Sequence, residues 1–254
     1  MMTPAYNIVI LWLPVTCMKM KKHIPNSLTL LNLISGFLAT IFASKGYIEQ
    51  ACFLIIAGMV FDFSDGFAAR LFKSYSAIGK ELDSLADVVT FGAAPGALLF
   101  FLLTGNGLPL VPVIILAGTL PAASALRLAK FNNDTEQATA FKGMPTPASA
   151  FTVVSFVIAS KYTDYEIFDT LLYSEWFMSG LAVFLSVMML INTRMFSLKI
   201  SHLKLKGNEE RYLFAVISLL LLLVFRLASL PLIMILYILI SLLFVTIRRS
   251  GTKA

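Results

Sequence analysis

Long apolar runs separated by short polar segments dominate the chain. A helix needs about 20 mostly apolar residues to cross the hydrocarbon core of a bilayer. Eight runs approach that length: 28–44, 51–72, 83–103, 109–129, 147–160, 176–193, 212–228 and 231–247. Only Leu230 and its neighbours separate the last two runs, and Pro231 suits the first turn of a returning helix. The pattern predicts an all-α, polytopic integral membrane helical bundle of about eight transmembrane helices, the last two forming a hairpin.

The composition also indicates a membrane protein. Hydrophobic residues make up 58% of the 254 residues and charged residues only 13%, with a mean hydropathy of +0.85. An average soluble domain is about half apolar and about a quarter charged. A soluble enzyme and a disordered chain are therefore excluded. The only cysteines, Cys17 and Cys52, are far apart, which argues against a disulfide framework and against a zinc site.

The distribution of basic residues predicts the orientation in the membrane. With the N-terminus in the cytoplasm, all Lys and Arg except Lys45, Lys161 and Arg226 fall in cytoplasmic segments. Positive residues are enriched on the cytoplasmic side of membrane proteins. We therefore expect both termini to be cytoplasmic, in the cell (inner) membrane. The net charge of +6 then reflects cytoplasmic loops facing anionic lipid headgroups, and nucleic acid is not expected as a partner.

Residues 1–17 are apolar but too short, and too interrupted by Pro4 and Pro14, to span a bilayer. The segment Met18-Lys-Met-Lys-Lys resembles a second, natural translation start. We interpret residues 1–17 as an N-terminal extension from an over-assigned start, with an interfacial segment as the alternative. We expect residues 18–200 to form the core of six helices, and residues 201–254 an accessory C-terminal transmembrane hairpin.

Four aspartates interrupt the apolar pattern where the second run closes and the third opens. Asp62 and Asp65 are spaced i,i+3, and Asp83 and Asp87 are spaced i,i+4. Each spacing places two side chains on one face of a helix. An antiparallel pair with a short cytoplasmic turn brings the two faces together, so we expect the four carboxylates to converge. Unpaired carboxylates repel strongly at low dielectric and need cations to balance them.

Oxygen ligands without a nearby His or Cys favour Mg²⁺ or Mn²⁺ over zinc, and four carboxylates suit two ions. Metal pairs are a common device for displacement at phosphorus. Gly66 and Gly79 leave room for a bulky ligand near the backbone, and Arg70 can bind a phosphate. The residues alone leave other interpretations open, since solvated helix ends, packing glycines, proton relays and cation channels share such features.

The spacing of these residues resembles the signature of the CDP-alcohol phosphatidyltransferase family at every position. The signature here is Asp62-x-x-Asp65-Gly66-x-x-Ala69-Arg70, then eight residues, then Gly79-x-x-x-Asp83-x-x-x-Asp87. The resemblance implies an integral membrane enzyme with two divalent metals at the diphosphate of a CDP-linked lipid, and a homodimer. It implies that the metal ligands are Asp62, Asp65, Asp83 and Asp87, that Asp87 is also the general base, and that the CDP-binding residues are Asp62, Gly66, Ala69, Arg70 and Gly79.

Three further stretches, 24–36, 81–96 and 127–147, resemble the branch of the family that transfers the phosphatidyl group from CDP-diacylglycerol to L-serine. On this resemblance the serine-binding candidates are Arg127, whose guanidinium suits a carboxylate, together with Lys130 and Asn132. Both cations can instead be the positive flank of the fourth helix. Glycerol phosphate or an inositol derivative as acceptor, and an ion-coupled membrane carrier, remain the alternatives.

Two asparagines precede or enter the first run, Asn26 and Asn32. Either can hydrogen-bond a nucleotide or simply cap and pack the helix. For Asn32 we favour the packing interpretation.

Overall fold

A computed structural model describes residues 23–105, 108–133, 141–195 and 208–251. The predicted extension 1–17 lies outside these ranges, as do the last residues of the chain and residues 196–207 before the predicted hairpin. The described residues are almost entirely helical, which confirms the predicted fold class.

Each of the eight apolar runs forms helical structure, and the structure adds short helical elements. In chain order the helical elements are α1 (Ile24–Ser44), α2 (Ile48–Leu71), α3 (Ala77–Val88), a π-helical turn (Val89–Ala93), α4 (Ala94–Gly105), α5 (Leu110–Asn133), α6 (Thr146–Tyr162), α7 (Glu166–Leu172), α8 (Glu175–Leu190), α9 (Glu209–Phe225), a 3₁₀ turn (Arg226–Ala228) and α10 (Ser229–Gly251).

Five helical stretches are long and apolar enough to cross a membrane: Ile24–Ser44, Ile48–Leu71, Ala77–Gly105, Leu110–Asn133 and Glu209–Leu243. The pair α7 and α8, which is bent by 72°, makes a sixth if it is counted as one span. At 17 residues, α6 is shorter than the roughly 20 that a straight crossing needs. The chain is thus a polytopic helical membrane protein with five or six candidate spans, by length and composition, among the described residues, and the eight crossings remain a prediction.

The C-terminal stretch folds back on itself. The rings of Phe214 and Tyr237 lie 6.1 Å apart, between centroids, in an edge-to-face contact. In one continuous helix these residues would be about 35 Å apart, at a rise of about 1.5 Å per residue. The reversal occurs at Arg226, which has a positive φ of 50° and precedes the 3₁₀ turn. The predicted hairpin of 212–228 and 231–247 is therefore formed.

Two elements depart from the sequence pattern. The short helix α7 was not predicted, because seven residues cannot show a clear apolar periodicity. The strands β1 (Phe141–Lys142) and β2 (Arg194–Met195) form an antiparallel ladder that joins the segment after α5 to the segment after α8. Such a pairing depends on residues far apart in sequence, so the local pattern carries no sign of it.

The turn between α2 and α3 determines where the signature residues lie. Lys73 takes a positive φ of 51° just after α2. The Ser76 hydroxyl then accepts a 2.9 Å hydrogen bond from the Gly79 backbone N–H and caps α3, as serine commonly does at a helix start. The third helix consequently begins at Ala77 and not at 83 as the hydropathy predicts, and Asp83 lies inside it.

The helices pack most closely where small residues let them approach. A Cβ added at Gly36 of α1 would lie 2.2 Å from Thr90 Oγ1 in the π-helical turn, and one at Gly58 of α2 would lie 2.4 Å from Thr90 Cγ2. No real Cβ tolerates such distances, so both glycines are required for this junction of three helical elements. The junction lies directly beside the aspartates.

Candidate active site

Three of the four signature aspartates form one compact cluster. Asp62 of α2 and Asp83 and Asp87 of α3 each offer a carboxylate oxygen, and these oxygens all lie within 4.8 Å of one another. The first two side chains are partly buried and Asp87 is buried. The i,i+4 spacing on α3 aims both of its carboxylates at α2, as the sequence predicts.

The fourth aspartate, Asp65, lies at the edge of this cluster. Its carboxylate accepts a 2.6 Å hydrogen bond from the Thr29 hydroxyl of α1, and its side chain is only 5% exposed. Asp65 interacts electrostatically with Asp62, Asp83 and Asp87. All four carboxylates therefore interact electrostatically, although only three of them lie close enough together to bind one metal ion.

A second residue of α1 contacts the cluster. The Asn32 amide Nδ2 donates a 3.3 Å hydrogen bond to Asp87 Oδ1, and the Asn32 side chain is fully buried. Thr29 and Asn32 are spaced i,i+3, so one face of α1 supplies both donors. Neither contact was predicted: Asn32 was interpreted as a packing residue, and Thr29 was not a candidate. The only signal for them was this spacing of two polar residues on a membrane helix.

The donor set fits a divalent cation. The ligand atoms are carboxylate oxygens, which Mg²⁺ and Mn²⁺ prefer. Within the described ranges, Asp83 Oδ1 is buried and has no hydrogen-bond partner, and a buried oxygen of this kind is costly unless something satisfies it. The cluster therefore has the chemistry of a metal centre.

A cleft of about 240 Å³ opens beside the cluster at the turn between α2 and α3. Of the signature residues assigned to CDP, Gly66, Ala69, Arg70 and Gly79 line it, and Asp62 does not. The metal-ligand candidates Asp65 and Asp83 line it as well. A Cβ at Gly66 would meet no atom within 4 Å, so this glycine faces open space. At Gly79 a Cβ would lie 3.1 Å from Asn26 Oδ1, and Asn26 also lines the cleft.

The cleft is positively charged on its outer side. Arg70 and Lys80 are exposed and line it together with Tyr75, which is 73% exposed. Carboxylates at the inner end and cations at the mouth suit a phosphorylated ligand that reaches a metal.

The three serine-binding candidates of α5 lie in different environments. Arg127 is 7% exposed, and its Nε is buried with no hydrogen-bond partner in the described part of the chain. It lies within electrostatic range of Asp87 and of Tyr237 in α10. Lys130 is exposed. The structure thus places Arg127 within electrostatic range of Asp87 and leaves Lys130 at the surface.

Asn132, the third candidate, is tied to α3. Its Nδ2 donates a 2.8 Å hydrogen bond to Ser84 Oγ, and its backbone carbonyl accepts a 3.0 Å hydrogen bond from Lys80 Nζ. Since Lys80 lines the cleft, these bonds fix the end of α5 against the cleft wall.

The fold and the site together define a helical membrane protein with a buried carboxylate centre beside a cleft suited to phosphate. The sequence profile described as CDP-alcohol phosphatidyltransferase matches residues 22–191. This match covers α1 to α8 and includes every aspartate of the cluster. The chain belongs to the CDP-alcohol phosphatidyltransferase family.

Named relatives in several organisms are similar to this chain. A CDP-diacylglycerol–serine O-phosphatidyltransferase of Helicobacter pylori is 33% identical over 220 residues, covering 84% of this chain and 87% of the relative. The enzyme of the same name from Bacillus subtilis is 39% identical over 132 residues, covering 52% and 73%. An archaetidylserine synthase of Methanothermobacter thermautotrophicus is 33% identical over 146 residues, covering 56% and 60%.

Proposed function

We propose that this protein transfers the phosphatidyl group of CDP-diacylglycerol to L-serine, giving phosphatidylserine and CMP. The observation that carries the proposal is that the Asp62, Asp83 and Asp87 oxygens lie within 4.8 Å of one another, beside a cleft that Asp83 and other signature residues line. Family membership supports the reaction class, and relatives named as serine phosphatidyltransferases and as an archaetidylserine synthase support serine as acceptor.

The cleft binds the nucleotide end of the donor. Gly66 and Gly79 leave its walls bare, and Ala69 keeps the side chain between Gly66 and Arg70 small. Arg70 supplies a guanidinium, which pairs well with phosphate oxygens. The lipid tails stay in the bilayer while the diphosphate reaches the carboxylates, because the cleft lies at the end of membrane helices.

The four aspartates would hold two divalent cations, Mg²⁺ or Mn²⁺, with Asp62, Asp65, Asp83 and Asp87 as ligands. When bound, such ions neutralise the diphosphate and stabilise CMP as the leaving group. The protein's part is to hold the carboxylates in place, through the Thr29 and Asn32 hydrogen bonds.

Asp87 is the residue that takes the proton of the acceptor. The serine hydroxyl oxygen forms a bond to the phosphorus that carries the diacylglycerol, and the bond from that phosphorus to the bridging diphosphate oxygen breaks. CMP leaves with the electron pair, and the hydroxyl proton passes to the Asp87 carboxylate. A free alcohol is far too weak an acid to react without such a base.

Arg127 is the candidate for binding the serine carboxylate. It is buried within electrostatic range of Asp87, and its Nε has no hydrogen-bond partner among the described residues, so a bound carboxylate would satisfy it. Asn132 and Lys130 complete the proposed serine side, Asn132 from its place beside Ser84 and Lys130 from the surface.

The proposal extends to the surroundings of the site. The distribution of Lys and Arg supports a cytoplasmic active site in the cell (inner) membrane with both termini cytoplasmic. The profile match ends at residue 191, which supports a core of 18–200, an accessory hairpin of 201–254 and a separate extension of 1–17. The homodimer rests on the resemblance to the family.

An acceptor panel tests the function. The purified protein is supplied with CDP-diacylglycerol and Mn²⁺ or Mg²⁺, and CMP release is measured with L-serine, glycerol phosphate and inositol derivatives. We expect divalent-dependent CMP release with L-serine and formation of phosphatidylserine. Release with another acceptor only would reassign the substrate, and the absence of CMP release with any acceptor would favour an ion-coupled carrier.

A further inference from the structure

Asn32 is held in a buried junction directly beside the proposed general base. Its Nδ2 lies 3.3 Å from Asp87 Oδ1, and its side chain is fully buried. An ionised carboxylate accepts hydrogen bonds and cannot donate them, so the amide must turn its N–H₂ toward Asp87. The orientation of the Asn32 side chain is therefore dictated by the carboxylate and not by general packing.

The surroundings of Asn32 fix it from two further sides. The Thr90 hydroxyl, in the π-helical turn after α3, donates a 2.9 Å hydrogen bond to the Asn32 backbone carbonyl. The amide oxygen of Asn32 faces α2, where a Cβ at Gly58 would lie 3.0 Å away. Asn32 thus bridges α1, α2 and α3 at one point.

The arrangement carries a cost that packing alone does not explain. Asn32 Oδ1 is buried and has no hydrogen-bond partner among the residues that the structure describes, and an unpartnered buried oxygen is unfavourable. An apolar side chain of similar shape would fill the same space without this cost. The chain keeps an amide where only its donor is used, and that donor is used on Asp87.

We infer that Asn32 is a positioning residue, whose amide hydrogen bond fixes the rotation of the Asp87 carboxylate relative to Asp62 and Asp83. Without it, the Asp87 side chain is free to turn about its terminal torsion, which is broad and weakly restrained. The inference deepens the proposed function and rests on the role given there to Asp87. Thr90 acts indirectly, because its hydroxyl bonds to the backbone carbonyl of Asn32 and so holds the helix that carries the amide.

The experiment compares Asn32→Ala with Thr90→Val. The first removes the donor to Asp87, and the second removes the Thr90 hydroxyl with little change of shape. Mn²⁺ affinity is measured by electron paramagnetic resonance on the detergent-solubilised protein without substrate, and kcat and KM are measured at saturating Mn²⁺. Loss of a partner that orients a metal ligand costs about 10- to 100-fold in metal affinity or activity.

For Asn32→Ala we expect losses in that range in both Mn²⁺ affinity and kcat, with the KM for serine changed by less than about threefold, the pattern of a lost transition-state interaction. Thr90→Val should show a smaller loss of the same kind, and Thr90→Ser, which keeps the hydroxyl, should restore the wild-type values. The matched control is Thr40→Val on α1, whose hydroxyl donates a 2.9 Å hydrogen bond to the Gly36 carbonyl of its own helix.

Wild-type Mn²⁺ affinity and kcat in both Asn32→Ala and Thr90→Val would overturn the inference. Loss of folding in both, seen as aggregation or a collapsed thermal transition, would also overturn it, because it would assign Asn32 to general packing. If Asn32→Ala alone fails to fold, Thr90→Val decides. The Mn²⁺ measurement needs no turnover, so a failure of the proposed reaction is recognised separately, by the absence of CMP release in the wild type.

Discussion

Thr29 in α1 and Asp65 in α2 are joined by a 2.6 Å hydrogen bond from the hydroxyl to the carboxylate. The same hydroxyl lies 3.0 Å from the Pro25 backbone carbonyl, one turn earlier in α1. Both partners are buried, so water does not compete for the bond. The first helix is therefore part of the carboxylate site, although the family signature lies entirely in the next two helices.

Replacing Thr29 by valine keeps the shape and removes the hydroxyl. We expect Thr29→Val to weaken Mn²⁺ binding by about tenfold, the lower end of the effect seen when a partner of a metal ligand is lost. Titration of the substrate-free protein with Mn²⁺ measures this. Thr29→Ser should bind as the wild type does, and equal affinity in the serine and valine variants would contradict the role.

Asp87→Asn tests the proposed general base. The amide has nearly the shape of the carboxylate but cannot take the proton of the acceptor, so we expect turnover to fall below detection. Membrane insertion and the thermal transition should stay intact. Asp164→Asn, at an exposed position outside the site, is the matched control and should keep full activity. Substantial turnover in Asp87→Asn would remove Asp87 as the base.

Gly66→Ala separates the cleft from the fold. Because a Cβ at Gly66 meets nothing within 4 Å, the variant should fold normally and gain about 0.5–1 kcal/mol from the better helix propensity of alanine. The same methyl enters the proposed nucleotide cleft, so we expect a higher KM for CDP-diacylglycerol. Steady-state kinetics and thermal unfolding measure the two effects.

Gly180→Ala in α8 is the control for that substitution, since its Cβ also meets no atom within 4 Å and it lies away from the cleft. It should show the gain in stability without the change in KM. An unchanged KM in Gly66→Ala would place the nucleotide elsewhere.

Arg127→Ala addresses recognition of the acceptor. We expect a higher KM for L-serine with a smaller effect on the KM for CDP-diacylglycerol, the signature of lost ground-state binding. Arg127→Lys should recover little, because lysine lacks the planar fork that binds a carboxylate at two points. Lys45→Ala, at an exposed position at the end of α1, provides the control. An unaltered serine KM would return Arg127 to the positive flank of its helix.

Gly36→Ala is expected to damage the fold itself. The added Cβ would lie 2.2 Å from Thr90 Oγ1 and 2.5 Å from Thr90 Cα, and overpacking of this kind costs about 1–3 kcal/mol or more. A lower thermal transition in detergent measures the cost. Gly118→Ala, whose Cβ meets open space, should leave the transition unchanged or raise it.

The helices and the aspartate cluster could be predicted because both follow from local periodicity. Apolar runs of about 20 residues give the spans, and the spacings of Asp62 with Asp65 and of Asp83 with Asp87 give shared faces. What periodicity cannot give is which of the four carboxylates come closest. That depends on the angle at which α2 and α3 meet. In the structure Asp62 lies in the compact cluster with Asp83 and Asp87, and Asp65 lies outside it.

The contacts of α1 with the carboxylate site could not be predicted from the sequence for the same reason. Asn32 reads as a packing residue when only its own helix is considered, and it does pack. Its bond to Asp87 depends on the close approach that Gly36 and Gly58 allow to Thr90, a contact among three segments distant in the chain. No spacing within one segment encodes it.

The folding back of the C-terminal hairpin has a consequence for biosynthesis. Tyr237 lies within electrostatic range of Arg127 but leaves the ribosome roughly 110 residues later, which takes about 5 to 20 seconds at 5–20 residues per second. During that interval the core helices are already made while Arg127 lacks a neighbour that it has in the finished protein. Translation must therefore run nearly to its end before the acceptor side of the site reaches its final surroundings.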